Sequence, residues 1–155
     1  MGPPGHFAIA FAAKPAATKL PLWLLLVASE ILDLLCFGFM AIGIEHGAPN
    51  PQLAWSHGLF MSAVWSAIAG VITYLFIRDR KVSIIFGLVV FSHWVLDFIA
   101  HSHDLPLLFN GSPLVGLGLE KSLVAGIIME FSMLAGGVAI YLFARKRNKN
   151  AVRKK

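Results

Sequence analysis

Charge is what this sequence has least of. Asp, Glu, Lys and Arg make up 14% of its 155 residues, against 57% hydrophobic ones. That is more apolar side chain than a water-soluble domain can bury, which excludes a soluble fold. Cysteine is nearly missing too: Cys36 is alone, so no intrachain disulfide can form. Neither a Gly-rich phosphate loop nor a nucleophilic Ser/His/Asp arrangement occurs, so those chemistries have no support. Lysine and arginine are absent between Lys19 and Arg78, and again between Lys81 and Lys121.

The basic residues that exist are concentrated at one end. Thirteen Lys and Arg against eight Asp and Glu give a net charge of +5, but seven of the thirteen lie within 145–155. Residues 1–144 therefore carry a net −2, and with no basic face in the body nucleic-acid binding is not expected. The 145–155 tail suits anionic headgroups instead.

What the chain has in quantity is long apolar runs. Crossing about 30 Å of hydrocarbon takes about 20 helical residues. Four runs qualify: Leu20–Ile44, Leu59–Ile77, Val82–Ala100 and Leu117–Phe143. The first is too long and starts too late for a signal peptide, so it is expected to stay in the mature protein. Ahead of it, residues 6–17 form an apolar, Ala-rich segment too short to span. That segment either lies on the surface as a helix or dips into the bundle as a half-helix. His6 lies thirteen residues before Lys19 and Asp33 fourteen after it, so a hairpin there would bring both to about the same depth, which favours the dip. The expected fold is all-α: an integral membrane four-helix bundle with an added N-terminal half-helix, one domain over 1–144.

The direction of the spans follows from the positive charges. Arg78, Arg80, Lys81 and the tail should be cytoplasmic, leaving the 45–57 and 101–116 connections outside. Trp23, Tyr74 and Tyr141 each stand four residues from a basic group (Lys19, Arg78, Arg145), as an inner aromatic belt requires. Lys121 is the exception and is expected to snorkel beside Glu120. A bacterial cytoplasmic membrane is the expected location, with both the N-terminal region and the tail on the inner side.

Ionisable residues inside spans cost about 2.5–3.5 kcal/mol each on insertion scales, so each needs a partner or a purpose. Glu30 and Asp33 lie in the first span, His93 and Asp97 in the third, Glu130 in the fourth. At about 1.5 Å per residue, Asp33, His93, Asp97 and Glu130 fall about 6–16 Å below the outer surface. His57, at the head of the second span, and His101, His103 and Asp104, at the end of the third, would form a polar mouth. His93, Asp97 and His101 share one face of a helix, as do Ser62, Ser66 and Gly70, and Ser122, Gly126 and Glu130. Small residues favour close helix approach in lipid, so these stripes should face inward, with Glu130 toward the third helix.

Imidazoles and carboxylates gathered without a nearby cation form a divalent-metal site, and zinc with an open position activates water. One ion would take His93 and Asp97 with Asp33 and either His57 or His6; two ions would share Asp33 or Asp97 as a bridge. Glu130 or Glu30 would then be the general base, and His101, His103 and Asp104 the lining of the mouth. Simpler roles compete. His57 could cap its helix beside Ser56, His46 and His103 could be solvated loop residues, and Cys36 a packed core thiol. Glu30 stands about 60° round the helix from Asp33, where it could pair with a serine hydroxyl.

The strings GHFAIAFAAK, ASEILDLL, WSHGLF, FSHWVLDFIAH, DLP and VGLGL resemble a family of small bacterial integral membrane proteins labelled membrane-bound metal-dependent hydrolases. The likeness runs from Gly5 to Tyr141. That group is similar in turn to the zinc-dependent phospholipase C and nuclease fold, whose ligand order His, Asp, His, H-x-x-x-D implies His6, Asp33, His57, His93 and Asp97 here. The second helical pair of that fold, H-x-x-x-E, has no counterpart, because Gly126 stands four residues before Glu130. The chain is also much shorter, so the resemblance implies one or two ions, not three.

The leading expectation is a metal-dependent hydrolase acting on an ester or phosphoester, with a lipid or lipid-linked phosphate as substrate. Three alternatives stand beside it: a proton- or cation-handling transport module, which would require a homo-oligomer; a non-catalytic assembly subunit; and bis-histidine haem ligation. The haem reading is opposed by a depth difference of about 12 Å between His57 and His93.

Overall fold

A computed structural model describes residues 2–46, 53–109 and 111–153 and is all-α apart from one two-residue ribbon. The helices are α1 (Pro3–Ala13), α2 (Leu22–Ser29), α3 (Ile31–Ala41), α4 (Leu59–Ile77), α5 (Arg80–Ala100) and α6 (Leu123–Arg153). Three of them, α4, α5 and α6, are long and apolar enough to cross a membrane; α2 and α3 qualify only as a pair.

That pair corrects the expected continuous first span. The chain bends by 53° at Glu30, whose backbone leaves the helical region. No proline causes this. The Ser29 hydroxyl donates to the Leu26 carbonyl at 2.8 Å, a side-chain competitor for a helical acceptor that bends helices. The expected half-helix over 6–17 forms as α1 and stops at Ala13: Lys14 keeps helical angles and bonds Ala10 O, but Pro15 has no N–H with which to continue the ladder. It does not lie on the surface: α1 packs against α2, α5 and α6 and buries Gly5, His6, Ala8 and Ala10.

Helices α4 and α5 are joined by a tight turn in which Arg78 adopts a left-handed conformation. Asp79 then caps α5 by accepting from the Val82 amide at 3.2 Å, and it pairs with Lys19 Nζ at 2.7 Å. Lys19 holds the Asp79 carboxyl below the usual carboxylate range. The two helices meet through the expected small-residue stripe. A Cβ at Gly87 would stand 2.8 Å from the Ser66 carbonyl oxygen, and one at Gly70 3.3 Å from that of Ser83.

The fourth element differs most from expectation. Residues 117–122, expected in the fourth span, are not α-helical: with the preceding described residues they fold over the end of α5 as the ribbon β1 (Leu105–Pro106) and β2 (Leu114–Val115) and a 3-10 turn (Leu119–Lys121). Glycines permit this, since Gly116 and Gly118 both have positive φ, and a Cβ on Gly116 would overlap the Ser102 carbonyl. Helix α6 therefore starts at Leu123, not Leu117, and runs beyond Phe143 into the basic tail. Its Ser122–Gly126–Glu130 stripe does not meet α5 as expected; α6 packs along α1, with Glu130 accepting from the Gly2 amide.

The α1–α6 contact is close enough to test. A Cβ at Gly137 would overlap the Ala8 backbone, whereas one at Gly136 would meet nothing within 4 Å. Gly137→Val is expected to cost about 1–3 kcal/mol by overpacking and to release α1, exposing residues 1–20 to protease. Gly136→Val should change thermal unfolding little, and equal effects from the two variants would contradict this packing.

Candidate metal centre

The bend at Glu30 builds the centre. It leaves the Ser29 carbonyl at a helix end without a partner in the helical ladder. His93, on the facing side of α5, fills the vacancy, its Nδ1–H donating to Ser29 O at 2.6 Å. With a proton on Nδ1, the neutral ring carries its lone pair on Nε2. It faces Asp97 Oδ2 at 3.2 Å and Asp33 Oδ1 at 3.5 Å.

His57 is oriented by a second route that sequence reading missed. Glu45 is 2% exposed and accepts from the amides of Trp55 (2.9 Å) and Ser56 (2.8 Å) and from the Ser56 hydroxyl (2.7 Å). The one hydroxyl proton of Ser56 goes to this carboxylate, so its oxygen must accept from His57 Nδ1, 2.7 Å away. Its Nε2 meets Asp33 Oδ1 at a hydrogen-bonding 3.2 Å and lies 3.5 Å from Asp97 Oδ2. His57 thus precedes its helix as expected, but it points at the acids and does not cap α4. The signal for Glu45 was its isolation: it is the one acid in a connection with no Lys or Arg.

His6 arrives from α1 and stacks on His93, ring centroids 3.9 Å apart. Its Nε2 lies 3.4 Å from Asp97 Oδ1 and its Nδ1 3.6 Å from Glu30 Oε1. Among the described residues neither nitrogen of His6, nor Nε2 of His93, has a hydrogen-bond partner, although all three atoms are buried. Buried polar atoms are rarely left so. Glu30 also takes a 3.4 Å bond from the Ser29 hydroxyl. The serine pairing was expected; the approach to His6 was not.

Two overlapping groups result. His6, Glu30, Asp33 and His93 offer ligand atoms all within 4.8 Å of one another, and so do His57, His93 and Asp97. Tetrahedral bonds of about 2.0–2.1 Å place neighbouring ligand atoms about 3.3–3.4 Å apart. The nitrogen–oxygen separations of 3.2–3.6 Å fit that spacing. Compared with protein-family models, with curated proteins and with solved structures, the chain has no match. The side chains alone must carry the functional argument.

The remaining candidates fall outside the two groups. His101 borders them, with Nε2 3.6 Å from Asp97 Oδ1 and Nδ1 3.4 Å from Asp104 Oδ2. Asp33 is half-buried, His101 and Asp104 are partly exposed, and His103 and His46 are exposed. Glu130 belongs to neither group and holds the start of α1 through Gly2. Cys36 is buried in α3. The rings of His57 and His93 lie 5.3 Å apart, edge to face, so their expected separation in depth is wrong. Residues 53–57 bring His57 in beside His93.

Proposed function

We propose that this chain is a membrane-embedded, metal-dependent hydrolase that cleaves an ester or phosphoester, with a lipid or lipid-linked phosphate as its substrate class. One observation carries the reading. Imidazole nitrogens of His6, His57 and His93 stand 3.2–3.6 Å from carboxylate oxygens in a region without lysine or arginine, and both buried nitrogens of His6 and Nε2 of His93 have no hydrogen-bond partner among the described residues. A divalent cation between them would bind both sets of atoms. His93 is shared by both groups, so the centre takes one or two ions, zinc in the first instance.

In the membrane α2 and α3 act as one bent span beside α4, α5 and α6. The Arg78–Lys81 turn and the basic end of α6 face the cytoplasm of a bacterial inner membrane. The centre then opens outward about one turn below the end of α5. Trp55, Phe60 and Phe109 cluster there, Phe109 being 5.6 Å from Trp55 and 5.8 Å from Phe60, and all three are exposed. Amphipathic aromatics at that level suit a substrate that arrives in the lipid layer.

A bound metal would supply Lewis acidity, lowering the pKa of water toward neutrality and polarising the acyl or phosphoryl oxygen. The chain's own residues do the rest. Asp33, on the open side, meets solvent, while buried His6, His57, His93 and Asp97 exclude it. His101, held between Asp97 and Asp104, is the group placed to carry a proton between the centre and the leaving alcohol. This role replaces the one expected of Glu130.

Elemental analysis of detergent-purified protein should find one or two zinc-type ions per chain. Hydrolysis of a phospholipid or phosphodiester should be lost on chelation and return with zinc. Protein free of stoichiometric metal would refute the proposal, and a proton flux into liposomes that persists after chelation would replace it with transport.

A further inference from the structure

Far from the metal centre, a cavity of about 590 Å³ opens where the end of α1 meets the last turns of α6. Lys14, Arg145 and Lys149 line it, together with Thr18, Tyr141 and Asn148, and no carboxylate does. Its position is fixed by packing. Helices α1 and α6 run in parallel, with Gly2 at Glu130, Ala8 at Gly137 and the Phe11 ring 5.9 Å from that of Tyr141. One turn further along, Lys14 is brought opposite Arg145. Tyr141, Arg145 and Lys149 are spaced i, i+4, i+8, so α6 presents one polar stripe to the cavity.

Three cations sharing a concave site repel one another until an anion joins them. Among the described residues the Lys14 ammonium reaches only a carbonyl, Thr18 O at 3.3 Å, and no carboxylate compensates its charge. Outside the cavity, the turn of α6 that precedes Arg145 exposes Ile140, Leu142 and Phe143 around its circumference. A lipid can set its headgroup among the cations and its chains along this apolar surface.

We propose that this cavity binds the phosphate of an anionic phospholipid, with Arg145 and Lys149 as its charged donors, Lys14 as the third cation, and the acyl chains against α6. Arginine and lysine on a phosphate make charge-assisted hydrogen bonds, and the basic flank of a membrane helix is where such lipids are enriched. The site stands independently of the hydrolase reading, and either can fail without the other.

Native mass spectrometry of the full chain, released from nanodiscs that mix phosphatidylglycerol and phosphatidylcholine, tests this. Wild type should retain phosphatidylglycerol selectively, and Arg145→Ala and Lys149→Ala should each lower retention about tenfold. Lys81→Ala, which removes the same charge from another exposed site, should have little effect. Equal losses in all three would reduce the effect to general electrostatics and overturn the proposal. Displacement of the lipid by millimolar inorganic phosphate would overturn it too, by making a free phosphate the occupant. Thermal unfolding of each variant shows whether a loss reflects folding, and if Arg145→Ala is unstable, Arg145→Lys with Lys149→Ala must still show the loss.

Discussion

Asp97→Asn is expected to strip the protein of metal while leaving the metal-free form at least as stable as wild type. Asp97 touches more of the centre than any other acid: His6 and His101 lie near Oδ1, and His57 and His93 near Oδ2. In the absence of metal it shares a low-dielectric pocket with Asp33 and Glu30, and like charges there repel strongly. An isosteric amide removes that repulsion. With metal the order reverses: a ligand at a thousandfold excess over its Kd adds about 4 kcal/mol to wild type and nothing to a variant that cannot bind it. Thermal unfolding in chelator and in excess zinc should therefore give curves that cross, with hydrolysis falling to below about one hundredth. The competing account gives the opposite sign. If protonated histidines simply neutralise the acids, removing Asp97 leaves buried charge unpaired and costs about 3–5 kcal/mol in chelator as well. A variant less stable than wild type under both conditions would discard the metal centre.

How much of this was legible depended on whether a residue sat on regular helix. His93 and Asp97 are i, i+4 on α5, and their convergence needs only the helical repeat. His6 was within reach of a counting argument, because the turn between α1 and α2 folds as a hairpin and matches its depth to Asp33. The spans themselves could be read from hydropathy, and Leu59–Ile77 has the bounds the sequence suggests. Glu30 was not legible in this way: its place depends on a 53° bend beside Ser29, and no periodicity reports that. Glu130 was misplaced for a different reason. A stripe of small residues tells which face of a helix is buried, not which neighbour buries it, and here α1 does so instead of α5. Glu45 escaped because its partners lie ten and eleven residues on, beyond a connection whose path no local rule dictates. The acids that hydropathy flags are those inside spans; an acid in a loop is presumed solvated until the loop is seen to fold inward.

Glu45→Gln is the second large effect, and it separates orientation from ligation, since Glu45 reaches the centre only through Ser56 and His57. The glutamine oxygen can still accept from the Trp55 and Ser56 amides, so the loop should keep its path. Its amide nitrogen, however, must donate where the carboxylate accepted. The Ser56 hydroxyl then has no acceptor at position 45 and turns its proton to His57 Nδ1, which drives the imidazole hydrogen onto Nε2, the atom that faces Asp33 and Asp97. A protonated Nε2 cannot ligate. Disturbing a partner of this kind typically lowers metal affinity by about 10–100-fold, whereas exchanging the charge-assisted bonds to the carboxylate for neutral ones should lower metal-free stability by about 1–3 kcal/mol. Nitrogen-15 NMR of labelled histidine reads the tautomer directly: His57 should switch from Nδ1–H to Nε2–H while His93, held by the Ser29 carbonyl, stays as it is. Weaker zinc binding without that switch would mean that Glu45 acts by holding the loop together, and an unchanged zinc affinity with the switch present would remove His57 from the set of ligands.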